Sequence, residues 1–145
     1  MNCNRLVMTV FTAFLAPWPA CDVAAEPAST ARAAIVKSLF DSEQTGVPGK
    51  ELLMLTVEYL PGGASLPHRH DAQVFVYVLE GQIKMQVAGG PVVTLGPGQT
   101  FYESPTDIHA VSANASKTKP AKFLVFIVKD KGAPVTREVA RGGTQ

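Results

Sequence analysis

The residues best suited to chemistry in this chain are its three histidines. Two of them, His68 and His70, stand one residue apart in "LPHRHDAQVFVYVLEG", just before a run of β-branched and aromatic residues. Alternate side chains of a strand share one face, with Cα atoms roughly 6.5 Å apart. Two such imidazoles can reach a common ion at about 2.0–2.2 Å. A site needs at least one more ligand, and His109, after the turn "SPTD", is the candidate.

Strand-length segments must position these histidines. Runs rich in Val, Ile, Phe, Tyr and Thr recur between Gly and Pro signals about every ten residues, which predicts an all-β sandwich or barrel. No segment shows helical periodicity over about twelve residues. The segment "VFVYVL" is apolar on both faces, so we expect it to be buried on both sides, with a second subunit on the outside as a homodimer. The turn Glu80-Gly81 and the alternating "QIKMQV" after it predict a hairpin.

Two longer motifs connect the histidines to a known family. Residues 62–81, which carry "HRH" and end in "LEG", resemble the first motif of the cupin family. Residues 98–114, "GQTFYESPTDIHAVSAN", resemble its second motif. The resemblance implies an all-β double-stranded β-helix, or jelly roll, and a divalent transition metal. In this chain the matching histidine ligands are His68, His70 and His109.

The resemblance also implies a glutamate ligand, and Val74 stands at that position. Gln73 could replace it if a bulge turned its amide oxygen inward, although in a regular strand it faces away from Val74. Glu103, at the end of "TFYE", is the second candidate. It could reach the same end of the barrel, orient a histidine, or lie on the surface. With three neutral imidazoles alone the ion keeps its full 2+ charge, which favours an anionic or chelating ligand.

Two further positions near the second motif affect the site. Tyr102 is a candidate catalytic residue, because a phenol near a metal that reacts with oxygen can donate a hydrogen bond or a proton. Thr106 stands where the motif often has glycine, so the loop leading to His109 is a candidate for displacement.

The chemistry of three imidazoles limits which ions the site can bind and which reactions it can support. They suit Fe, Zn, Ni, Mn or Cu better than Mg or Ca, which prefer oxygen. Open positions on such an ion inside an apolar barrel predict a dioxygenase-like oxidoreductase acting on a small organic acid, phenolic or diketone-like compound. Zinc chemistry, hydrolysis or hydration, stays open. The alternative is a non-catalytic cupin that binds a metal or small ligand, because Val74 removes a ligand used by many active family members, and a barrel without metal is the third interpretation.

Length and charge exclude other classes. The chain has 145 residues, near the usual size of one domain. Its net charge is +1 and its lysines and arginines are scattered, so the basic patch of a nucleic-acid-binding protein is missing.

The first residues have the layout of an export signal. Arg5 precedes an apolar run over residues 6–16, and small residues follow, which predicts a signal peptide over 1–25. The run of about eleven residues is shorter than the roughly twenty needed to span a bilayer. We therefore expect a periplasmic or secreted protein with a flexible leader at 26–32 and a single domain at 33–145. Lipidation of Cys21 is the alternative, and cleavage after Ala25 removes both cysteines.

Overall fold

The structure is a computed structural model, and it describes residues 34–42 and 46–139. The predicted signal peptide, the leader and both cysteines lie outside the described residues. Among the residues described there is no helix that is long and apolar enough to cross a membrane. The strands are β1 Ile35–Ser42, β2 Lys50–Tyr59, β3 Ala64–Ser65, β4 His68–Arg69, β5 Gln73–Glu80, β6 Ile83–Val87, β7 Val93–Leu95, β8 Thr100–Glu103, β9 His109–Asn114, β10 Ala121–Asp130 and β11 Arg137–Glu138.

Two antiparallel sheets face each other across one core. The first has the order β1-β2-β10-β5-β8. The second has the order β11-β4-β9-β6-β7, with β3 also paired to β9. Neighbours within a sheet are mostly distant in sequence, as the long crossings of a jelly roll require. The predicted all-β jelly roll is confirmed.

Strand β5 shows how the core is filled. Val74, Val76 and Val78 point inward and are almost completely buried. Each such side chain stabilises the fold by about 1.5–3 kcal/mol relative to an exposed position. The alternate residues Phe75 and Tyr77 point outward and are 44% and 45% exposed. Within one chain β5 is therefore buried on one side, and its outer side remains open.

The prediction of a hairpin at Glu80-Gly81 is wrong, because β5 and β6 do not pair with each other. Strand β5 pairs with β10 and β8, whereas β6 pairs with β9 and β7 in the other sheet. Gly81 has a positive φ of 71°, and a Cβ there would lie 2.5 Å from the carbonyl oxygen of Pro120. The glycine thus lets the backbone pass close to a neighbouring loop while the chain crosses from one sheet to the other.

The turn before His109 is closed by an aspartate instead of a glycine. The Ser104 N–H donates to Asp107 Oδ2 at 2.8 Å, and the Asp107 N–H donates to the Ser104 carbonyl at 3.1 Å. Among the described non-glycine residues only Asp71 has a positive φ, so Thr106 needs no left-handed backbone. His109 consequently enters β9 in register with His68, without the displacement that the missing glycine suggested.

Candidate metal centre

The three histidines converge at one end of the barrel. His68 begins β4 and His109 begins β9, and the two are direct partners in the antiparallel pairing. The ring centroid of His68 lies 4.8 Å from that of His70 and 5.0 Å from that of His109. One ring nitrogen from each residue lies within 4.8 Å of the others. The structure therefore brings together all three ligands predicted from the sequence.

Backbone carbonyls orient two of the rings. His68 Nδ1 lies 2.6 Å from the Leu66 carbonyl oxygen, and His70 Nδ1 lies 2.7 Å from that of Val135. A carbonyl can only accept, so Nδ1 carries a proton, and in the neutral ring Nε2 keeps its lone pair. Burial lowers the pKa of His68 from its ordinary value, against an opposing effect of the Leu66 hydrogen bond. The neutral form, which binds metals, is thus favoured.

Glu103 belongs to the same cluster. It ends β8 opposite Val74, points inward and is only 2% exposed. Its Oε1 lies 3.1 Å from His109 Nδ1, and its Oε2 lies 4.0 Å from His70 Nε2. Of the roles considered for Glu103, the surface role is excluded by this burial.

A methionine and a serine hold the third ring. His109 Nε2 lies 3.1 Å from the Sδ atom of the buried Met85, to which Ser112 Oγ also donates at 3.6 Å. A thioether can only accept, so Nε2 of His109 carries the proton and Nδ1 has a lone pair in the neutral ring. The ring therefore turns its lone pair toward Glu103.

Two buried atoms of the cluster lack a hydrogen-bond partner, namely Glu103 Oε2 and His109 Nδ1. The contact between Nδ1 and Oε1 is short, yet it does not have hydrogen-bond geometry. Buried polar atoms are normally paired, and an unpaired one costs about 1–3 kcal/mol. A cation would satisfy both, and imidazole with carboxylate suits Fe, Mn, Zn or Ni. The residues present therefore fit a transition metal.

A chain of hydroxyl groups extends from the cluster into the core. Tyr59 Oη lies 2.6 Å from Ser65 Oγ and 2.7 Å from Ser112 Oγ. Because Ser112 gives its proton to Met85, it accepts from Tyr59, which in turn accepts from Ser65. Burial raises the pKa of Tyr59 above its ordinary value, so its hydroxyl stays protonated.

Ser112 lies in this site although its spacing from His109 in the sequence gives no indication of it. In a regular strand His109 and Ser112, three residues apart, would face opposite sides. The pairing of β9 with β6 shifts register between Gln86 and Val87, so one extra residue of β9 lies between their partners. This bulge puts both side chains on the inner face, and strand periodicity alone gives no signal of it.

The cluster forms the polar end of a cavity of about 130 Å³. The opposite walls are aliphatic and aromatic side chains from β2, β5 and β10, including Leu55, Val76 and Phe123. A dry cavity of about 150 Å³ accommodates benzene. The space beside the histidines therefore suits a ligand of about that size.

The structure does not bring Gln73 or Tyr102 to the cluster. Gln73 is exposed at the start of β5. Tyr102 is 50% exposed and packs against Phe75 on the outer face of the sheet, with ring centroids 5.1 Å apart. Because Val74 and Glu103 point inward, their chain neighbours must point outward. Gln73 therefore does not replace the missing carboxylate, and the phenol of Tyr102 does not reach the candidate ion.

The segment after β10 packs against β4 and contacts His70 at the edge of the site. Strand β11 pairs with β4, and Val135 accepts the hydrogen bond from His70. Asp71 binds Arg69 at 3.0 Å and Arg137 at 2.8 Å. The ion pair with Arg137 connects β11 to the turn that follows His70.

The fold and the cluster define a double-stranded β-helix protein with a candidate three-histidine metal site. The family described as "Cupin domain" matches residues 55–127, just over half of the chain and all three histidines. The chain therefore belongs to the cupin family. No curated protein matches it significantly.

Solved structures show the same fold at low sequence identity. A cupin-like protein from Thermotoga maritima is 19% identical with a TM-score of 0.59, over 73% of this chain and 75% of its own. An oxalate oxidase in complex with glycolate is 23% identical, with a TM-score of 0.58, over 76% of this chain and 57% of its own. The DMSP lyase DddQ from Ruegeria pomeroyi is 20% identical, with a TM-score of 0.54, over 64% of this chain and 45% of its own. This chain thus spans about half the length of the two enzymes.

Proposed function

We propose that this protein is a metal-dependent oxidoreductase that binds a small organic acid or phenolic compound beside its histidine cluster and oxidises it with oxygen. One observation carries the proposal. Three imidazoles and a buried carboxylate converge at the polar end of a small apolar cavity, and two of their buried atoms lack a hydrogen-bond partner.

The chain's own residues provide binding and orientation. A bound Fe or Mn ion would supply redox chemistry and polarise an oxygen atom of the ligand. His68 and His70 are held with Nε2 available by carbonyl hydrogen bonds. The walls opposite the cluster are apolar, and apolar surroundings of low dielectric constant strengthen electrostatic interactions inside the cavity.

The size of the cavity limits the substrate class. About 130 Å³ suits a short carboxylic acid or a single phenolic ring and is too small for a fused-ring compound. The oxalate oxidase that shares this fold holds glycolate, a two-carbon hydroxy acid. A small acid is therefore the first compound class to test.

Oxygen consumption tests this proposal. The protein loaded with Fe²⁺ or Mn²⁺ is mixed with short hydroxy and keto acids, simple phenols and small diketones, and oxygen uptake is followed with an electrode. We expect uptake with at least one class and none in His109→Ala. Failure to retain either ion, or no uptake across the panel, would overturn the proposal.

A binding protein without turnover is the second candidate, and the Tyr59 network favours it. The hydroxyl proton of Tyr59 is committed to Ser112, and apart from Tyr59, Glu103 and the histidines no titratable side chain of the described residues lines the cavity. General acid–base groups are thus scarce. This alternative predicts ligand binding by calorimetry with no product formed.

A homodimer is part of the proposal. Phe75, Tyr77, Tyr102, Leu124 and Phe126, named here the outer apolar face, lie together on the outside of the first sheet. A contiguous apolar surface of this kind is typical of a protein–protein contact. A second copy of the chain is the partner that we propose.

Export is supported by the sequence alone. We propose that residues 1–25 are removed and that the mature protein works outside the cytoplasm. Mass spectrometry of the native protein tests this, since a start at Glu26 supports cleavage after Ala25. A lipid-modified start at Cys21 would show a lipoprotein instead.

A further inference from the structure

We propose that Glu103 supplies the carboxylate ligand of the metal, from β8 instead of from the usual position on β5. This inference rests on the metal binding proposed above and adds a fourth protein ligand to the three histidines. It follows from strand register, from the contacts of Glu103 and from the charge around it.

The strand register places Glu103 beside Val74, which occupies the position of the family's usual glutamate ligand. Val74 and Glu103 are direct partners in the antiparallel pairing of β5 with β8, and both are buried on the inner face. Directly opposed residues have Cβ atoms about 4.5–5.5 Å apart. A glutamate side chain is long enough to bridge most of that distance, so the carboxylate can serve the same ion from either strand.

The contacts of Glu103 differ from those of a carboxylate that only orients a histidine. An orienting carboxylate accepts the proton of the ring nitrogen that faces away from the metal. Here His109 gives its Nε2 proton to Met85, and its Nδ1 lies 3.1 Å from Glu103 Oε1 without a hydrogen bond. Two lone pairs at this distance repel each other unless both bind the same cation. Both atoms therefore point to a shared ion.

Charge leads to the same conclusion. A buried carboxylate without a partner is strongly unfavourable. Among the described residues the only cationic or potentially cationic groups within 4.0 Å of the Glu103 carboxylate are the neutral-or-charged imidazoles of His70 and His109. Lys129, the buried lysine, pairs with Glu51. A divalent ion would neutralise Glu103 directly. The ion with its ligands then carries 1+, instead of the 2+ expected for three histidines alone.

The test moves the carboxylate between the paired positions. Affinities for Co²⁺ and Zn²⁺ are measured by chelator competition for the wild type, Glu103→Gln and the exchange variant Val74→Glu/Glu103→Val. The visible absorption of bound Co²⁺ reports its ligand set. Glu80→Gln, the same change at an exposed end of β5, is the matched control.

We expect Glu103→Gln to weaken binding at least about tenfold and to change the Co²⁺ spectrum. The exchange variant should recover most of the lost affinity, and Glu80→Gln should behave as the wild type. Without metal, Glu103→Gln should melt at a higher temperature than the wild type, because a buried charge is removed.

The outcomes separate this inference from the proposed function. If the wild type binds no transition metal, the proposed function fails. If the wild type binds but Glu103→Gln keeps both affinity and Co²⁺ spectrum, only the ligand role of Glu103 is overturned. An exchange variant that folds but remains as weak as Glu103→Gln would assign Glu103 an orienting role. Because Gln has nearly the shape of Glu, the spectrum of Glu103→Gln decides the matter even if the exchange variant does not fold.

Discussion

The two faces of the β5–β8 pair are built from neighbouring residues and have opposite character. On the inner face Val74 lies opposite Glu103, and on the outer face Phe75 lies opposite Tyr102. The inner face buries a carboxylate, whereas the outer face exposes 44% of Phe75 and 50% of Tyr102. One step along each strand thus separates a candidate metal site from a candidate contact surface.

Both faces invert the usual distribution of side chains. Glutamate is almost never fully buried without a partner, and clustered aromatic side chains are seldom left open to water. Each inversion supports one of the proposed partners, an ion on the inside and a protein surface on the outside. Strand phase, more than residue type, thus decides whether a position on these strands faces the cavity or the outside. The two faces should therefore respond independently to substitution.

The largest expected effect is on the inner face. His109→Ala removes a ligand, so metal binding should be lost together with the stabilisation it confers, about 2.7 kcal/mol at a metal concentration a hundredfold above Kd. Metal content and melting temperature with and without Zn²⁺ measure this. Gln73→Ala, an exposed change on β5, should leave both as in the wild type. Full metal content in His109→Ala would contradict the site.

A charge on the outer apolar face should abolish dimerisation and leave metal binding unchanged. Tyr77→Glu places a charge in the middle of the outer apolar face, and burying it in an interface would cost several kcal/mol. We expect a monomer in light scattering after size exclusion, with unchanged metal content. Lys84→Glu, an exposed change in the other sheet, should leave the dimer intact. A monomeric wild type, or a Tyr77→Glu dimer of equal strength, would show that this face does not mediate dimerisation.

A smaller effect is expected in the hydroxyl network behind the inner face. Ser112→Ala and Tyr59→Phe each break the 2.7 Å hydrogen bond, and each should lower the free energy of unfolding by about 1–2 kcal/mol. The double variant should lose less than the sum, because the two groups share one contact. Urea denaturation measures all three. Strict additivity would mean that the network is not coupled.

The smallest effect is a pH dependence on the inner face. The pKa of His68 is lowered by burial from 6.5, so below pH 6.5 the unfolded chain takes up a proton that the folded chain resists. The free energy of unfolding of the metal-free protein should therefore decrease as the pH is lowered below 6.5. In His68→Gln this fall should be shallower, whereas the exposed Thr94→Ala should keep the wild-type slope. Equal slopes in all three proteins would exclude His68 as a source.

The sequence predicts the jelly roll and the three histidines because both depend on local signals. Short β-branched runs between Gly and Pro define the strands, and the spacing of His68 and His70 defines one face. The roles within "TFYE" could not be assigned in the same way. Whether Tyr102 or Glu103 points inward depends on the pairing with β5, which is a long-range contact. A strand of four residues has no periodic pattern strong enough to fix its phase.

The connection at Gly81 and the position of Ser112 also depend on long-range contacts. A turn at Gly81 is compatible with a hairpin or a crossing between sheets, and the choice depends on backbone at Pro120, far along the chain. The bulge that brings Ser112 beside His109 appears only when β6 is paired with β9. Local chemistry therefore predicts the candidate ligands, whereas the residues that orient them became visible through tertiary contacts.

The hydrogen bond between His70 and Val135 also has a consequence for the order of biosynthesis. The two residues are 65 positions apart, so the ribosome has made all three histidines well before it adds the carbonyl that orients His70. Chains emerge from the amino terminus first. His70 receives this hydrogen bond only after Val135 has been made, so the arrangement of the proposed metal site is complete late in synthesis, when the chain next to β11 has packed beside β4.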